Sequence, residues 1–269
     1  MLGFAETLGG TIASFIIPAA AGLAIVSVAA RFLRAKYLAA FAIGLYFWFF
    51  SDTIGDANLL GANEGFSGGI FHAALWICFG VGLVLMLALD KEMFSPGPEG
   101  LKFGFAIPVL VAIAVGIHGF GEGAALSATA VTTPSTSLVD AFGGVTAGAA
   151  FVLHKALEPM MVGAAYWIYA KDHAKDLGGR VKDLAVLTLA FTLPGIVGGA
   201  SAYYIVQAYP SVDFTYVFAL GLGTSIYAAF RLARGMFEGP RTSSADSTRM
   251  AVMVLLGFTC LYLAALLHS

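Results

Sequence analysis

The sequence predicts an all-α polytopic membrane protein: an eight-transmembrane-helix bundle with both termini outside. Three observations predict it. The 269 residues are 59% hydrophobic and 11% charged, where a soluble domain carries about 25% charged residues. Eight apolar runs reach the ~20 residues a helix needs to cross a bilayer. Once those runs alternate across a membrane, thirteen of the fourteen Lys and Arg residues fall on one side, which marks that side as cytoplasmic.

The runs lie at about 8–30, 37–57, 69–89, 103–131, 138–170, 183–208, 213–235 and 249–267, and together form a single transmembrane domain over 1–269. SPGPEG (95–100), TTPSTS (132–137), LGG (177–179), YPSVD (209–213) and EGPRTSSADS (238–247) mark turns between them. Arg31, Arg34 and Lys36 follow the first run, and Lys91 and Lys102 separate the third from the fourth. Lys171, Lys175, Arg180 and Lys182 separate the fifth from the sixth, and Arg231, Arg234, Arg241 and Arg249 flank the last connection. The opposite loops carry Asp52, Asp56, Glu64 and Asp213 and no basic residue. No basic segment precedes the first run, so a cleaved signal peptide is not expected. Cys78 and Cys260 lie in apolar runs without CxxC spacing and read as small core residues. YFWFF (46–50), Tyr166, Trp167 and Tyr169 read as anchors at the lipid interface.

Two segments break the apolar pattern. IHGFGEGAA sets His118 and Glu122 four residues apart, and LHKALEPMM repeats that spacing with His154 and Glu158. On a helix, i and i+4 share a face. Each segment therefore stacks an imidazole and a carboxylate where ionisable groups are costly, which makes them a functional-site hypothesis. The expected depths agree. His154 falls near the middle of its run, and His118 lies sixteen residues past Lys102, roughly 24 Å along a straight helix. Gly116, Gly119, Gly121 and Gly123 would let a neighbouring helix approach closely. Pro159 frees the carbonyl of Lys155 for a cation or a water. Imidazole with carboxylate suits Zn²⁺, Fe²⁺ or Mn²⁺, whereas alkali ions favour carbonyls and hydroxyls alone. Two His and two Glu would meet the four-coordination that zinc prefers. Structural pairing between helices and proton relay are the competing readings, and two such pairs in adjacent runs favour metal.

These segments resemble the fourth and fifth spans of the ZIP (Zrt/Irt-like) metal-ion transporters, which read His-Asn-x-Pro-Glu-Gly and His-x-x-Pro-Glu-Gly. GTSIYAAFRLAR (223–234) is similar to that family's seventh span, and LLGFTCLYLAALLHS (255–269) to its last. The resemblance covers about 103–269 and is weak over the first three runs. It implies that His118, Glu122, His154 and Glu158 are ligands of a binuclear-type transport site. It also shows departures. Gly119 stands where the family has an Asn ligand, and Gly121 and Leu157 stand where it has Pro. Leu193-Pro194 aligns with a Glu-Pro that often completes the second metal position. Lys155 follows the fifth-span His, where some members place a second-site ligand. A protonated lysine cannot bind metal, so Lys155 is expected to occupy the second cation position and pair with Glu122 or Glu158.

Asp52, Asp56, Asn58, Glu64 and His72 could attract a cation to an external entrance, or form an ordinary solvated loop. Ser127 and Ser201 are the in-span hydroxyls chosen to line a pathway. His173 reads as solvated, and His268 as having no role ahead of a weak metal contact on the outer face. The expected function is a secondary transporter moving a divalent transition metal into the cytoplasm across the cell membrane, with zinc first among the candidates and iron and manganese next. The metal is its substrate, and the protein is not an enzyme. An intramembrane metal-dependent hydrolase and a transporter-derived, non-transporting subunit are the alternatives. HExxH is missing, which weighs against the hydrolase, and no Walker motif supports ATP-driven pumping. The expected partners are the lipid bilayer and the metal ion, with a homodimer open and no nucleic acid.

Overall fold

The computed structural model describes residues 2–56, 69–90, 104–133, 137–141, 144–173, 175–210, 212–237 and 243–266. Among these the regular structure is helical throughout, with no strand. The long helices are α1 (Phe4–Phe32), α2 (Ala35–Asp56), α3 (Gly69–Leu89), α4 (Ala106–Thr132), α5 (Val145–Asp172), α6 (Leu177–Ala208), α7 (Thr215–Phe237) and α8 (Ser244–Leu266). Each covers most of one apolar run. Four of them (α1, α4, α6 and the stretch Thr215–Ala233 of α7) are long and apolar enough to cross a membrane, and shorter apolar stretches lie at Ala35–Ser51 and Ala73–Leu89.

The helices pack in two sets. α4 lies along α6, and α1 along α5 and α6; α2 lies along α8 and α7, and α3 along α7. The sets meet mainly where α4 packs on α7 and α5 on α2. Small residues permit the closest of these contacts. A Cβ added at Gly123 of α4 would collide with the Gly195 carbonyl of α6. Burial ranks the helices: 67% of the apolar window of α4 is buried against 28% in α1. The apolar residues left outside include Ile17, Phe32, Ile77, Val84, Leu189, Phe230 and Leu255. Large apolar side chains exposed around the whole bundle fit a lipid surround better than water.

The fifth run departs from its expected form. It does not make one span from 138 but a single turn at Leu138–Ala141 followed by α5 from Val145. Ser137 caps that turn through Asp140 N at 3.2 Å, and Gly144 N bonds back to Val139 O at 2.8 Å. Gly144 then takes φ +104°, a conformation that favours glycine and breaks the helix. His154 therefore sits nine residues into α5, not at the middle of its helix.

The aromatic residues also differ from expectation. Tyr46, Phe49, Tyr166 and Tyr169 are buried, while Phe47 alone of the YFWFF segment is well exposed. All four belong to the buried core, and so cannot anchor at a lipid interface. Trp167 donates to Ser27 Oγ at 2.9 Å. Arg231 is likewise not a free flanking charge. It is 5% exposed and paired with the fully buried Asp90 at the end of α3, which also accepts from the Tyr227 hydroxyl at 2.8 Å.

Candidate metal site

The four titratable residues singled out by spacing meet between α4 and α5. Glu122 lies ten residues before the end of α4, and Lys155 ten residues after the start of α5, so a helical hairpin sets them at one depth. His118 Nε2 is 3.6 Å from Glu122 Oε1 on α4, and His154 Nε2 is 3.6 Å from Glu158 Oε1 on α5. Lys155 ties the helices together. Its ammonium donates to Glu158 Oε2 at 2.7 Å and pairs with Glu122 Oε2. The Lys155, Glu158 and His118 side chains are fully buried.

Among the described residues, one group is placed to hold a metal ion. His118, Glu122 and Glu158 each offer a ligand atom, and these atoms lie within 4.8 Å of one another. His154 is not part of that group, although its Nε2 lies 3.6 Å from Glu158 Oε1. Two potential ligand atoms, His118 Nε2 and Glu158 Oε1, are buried without a hydrogen-bond partner among the described residues. Buried polar atoms almost always have a partner, because desolvation without one costs about 1–3 kcal/mol. Two such atoms beside a second carboxylate, that of Glu122, mark a seat for something that supplies bonds, and a divalent cation does so.

The His118 ring is fixed from three sides. Phe49 of α2 meets it edge-on at 4.6 Å and Phe218 of α7 at 5.4 Å. Thr53 Oγ1 of α2 lies 3.4 Å from Nδ1. The Thr53 hydroxyl already donates to the Phe49 carbonyl at 2.8 Å, so toward the imidazole it presents a lone pair. That favours the proton on Nδ1 and leaves the Nε2 lone pair facing Glu122, the tautomer a metal ligand needs.

Thr53 was not visible as a site residue in the sequence, since a threonine in an apolar run ordinarily bonds its own helix. The same holds for Phe15 of α1, whose ring centroid lies 4.7 Å from Lys155 Nζ, and for Phe191 of α6 at 5.8 Å. Leu193, aligned above with a ligand position, is 53% exposed on the outside of α6. Ser127 is fully buried, but nine residues from His118 it lies on the opposite face of α4. Its Oγ faces Gly199 of α6, where an added Cβ would meet it at 3.1 Å and Thr11 Oγ1 at 3.0 Å. Ser201 is half-buried on α6. Asp52 and Asp56 fall on α2 and His72 on α3, with side chains outside the described set; Asn58, Glu64 and His268 lie outside the described residues. His173 stacks on Tyr169 at 4.3 Å.

Compared with family models and with curated proteins, the chain matches none.

Proposed function

We propose that this protein is a secondary transporter that moves a divalent transition-metal ion across the cell membrane into the cytoplasm. The observation that carries the reading is the group His118, Glu122 and Glu158. Its ligand atoms converge within 4.8 Å of one another from two helices. One imidazole and two carboxylates suit Zn²⁺ best, and Fe²⁺ and Mn²⁺ next. His154, beside Glu158, would complete the set as the ion moves. The resemblance of both segments to ZIP transporters supports the same reading.

The eight long helices would cross the bilayer with both termini outside, as the Lys and Arg distribution requires. The ion would cross by losing its waters to these ligands, so the protein supplies binding and passage, not chemistry. The chain lacks HExxH, which weighs against the hydrolase reading. Uptake of Zn²⁺, Fe²⁺, Mn²⁺ and Co²⁺ into proteoliposomes tests the proposal. Zn²⁺ influx that falls with His118→Ala supports it. Absence of influx for every ion, with metal still bound, would point to a non-transporting subunit.

A further inference from the structure

The two carboxylates of the site divide their oxygens between two sides. Both Oε1 atoms turn toward histidine, at 3.6 Å from His118 Nε2 and from His154 Nε2. Both Oε2 atoms turn toward one ammonium, that of Lys155. Carboxylates placed this way bridge two cation positions. The His118 side, where ligand atoms of His118, Glu122 and Glu158 converge, offers nitrogen and oxygen and suits a transition metal. The other side offers carboxylate oxygen, and Lys155 Nζ already occupies it.

That second position is built to hold a cation. Lys155 is fully buried, and a lone ammonium there would be prohibitively costly. Two carboxylates compensate it, and the Phe15 and Phe191 rings flank it at 4.7 and 5.8 Å with their negative faces available. Gly119 leaves the space. A Cβ there would lie 3.1 Å from Phe15 Cε1, 3.7 Å from Lys155 Nζ and 3.9 Å from Glu122 Oε2. Any larger side chain at 119 would enter the seat of the ammonium.

We infer that Lys155 is a permanent, tethered second cation of this centre. It limits the site to one divalent ion per chain, and its removal opens an oxygen-lined position that takes a second divalent ion. This rests on the metal-site reading above. Charge favours it: with neutral imidazoles, two carboxylates and one ammonium leave −1, so one divalent ion brings the centre to +1. A second ion beside the ammonium would add two more charges with no further carboxylate to face them.

The test counts Zn²⁺ bound to the purified full-length protein in detergent, with anomalous scattering from metal-loaded crystals to place the ions. Wild type should bind one site ion, with a single peak between the His118 imidazole and the Glu122 and Glu158 carboxylates. Lys155→Ala should bind two, the second peak lying where Nζ was. Two ions in wild type would overturn the inference and leave the metal-site reading standing, as would a folded Lys155→Ala that still binds one. No ion in wild type would overturn both. If Lys155→Ala does not fold, the wild-type count and peak position decide alone.

Discussion

His118 can act as a ligand because of what sits at its other nitrogen. Thr53 spends its proton on the Phe49 carbonyl and so steers the imidazole proton to Nδ1. Groups that orient a ligand in this way typically change metal affinity by ~10–100-fold when removed. Thr53→Val should therefore weaken Zn²⁺ binding about 10-fold, measured by competition with a chelating dye, while leaving the melting temperature nearly unchanged. Lys155 should behave in the opposite way. Its replacement by Met keeps the bulk but strands two buried carboxylates, and breaking a buried pair costs about 3–5 kcal/mol. Lys155→Met should lower the thermal midpoint of the metal-free protein sharply, read by differential scanning fluorimetry in detergent. The His and Glu pairs were legible in the sequence, because charge at helical spacing stands out in an apolar run. Thr53, Phe15 and Phe191 were not. They belong to other helices, and only the rotation of those helices brings them to the site.

At the scale of elements, helix identity was easy to read and helix interruption was not. Long apolar runs give helices almost wherever they occur, and a helix covers most of each here. The break before α5 depended on a local competition. Ser137 capping a single turn and Gly144 adopting a positive φ outweighed the apolar run that continues through both. The inward aromatics were missed for a related reason: Tyr166 and Tyr46 look like interface anchors by composition, and only packing shows them buried. The α4–α6 contact gives the element-scale prediction. Gly123→Ala places a methyl against the Gly195 carbonyl, and such overpacking costs about 1–3 kcal/mol. The expected outcome is a lower thermal midpoint, because the methyl forces α4 and α6 apart.

Among the described residues, charge is kept to the helix ends, to the buried Asp90–Arg231 pair and to the centre around Lys155. At one end, Lys36 Nζ and the Tyr37 hydroxyl both lie 2.6 Å from the Asp246 carboxylate, joining the start of α2 to the start of α8. The hydrogen bond from Lys36, then that from Tyr37, pulls the Asp246 carboxyl down to about 2. A depressed carboxyl stabilises the fold above its unfolded pKa of ~3.9 and loses that contribution as pH falls through its folded value. The clasp should be intact at pH 5 and fade between about pH 4 and 2. Asp246→Asn should remove that part of the acid dependence of the thermal midpoint. Within the centre, protons compete with metal for His118 and the carboxylates, so Zn²⁺ affinity should fall as pH is lowered from 7.5 to 5.5.

Transport through the His/Glu centre is the central claim, and one measurement tests it most directly. Zn²⁺ influx into proteoliposomes holding the full-length chain should be fast in wild type and near background in Glu158→Gln, at equal protein incorporation. Equal influx through both, or none through wild type while its site is loaded with Zn²⁺, would contradict it.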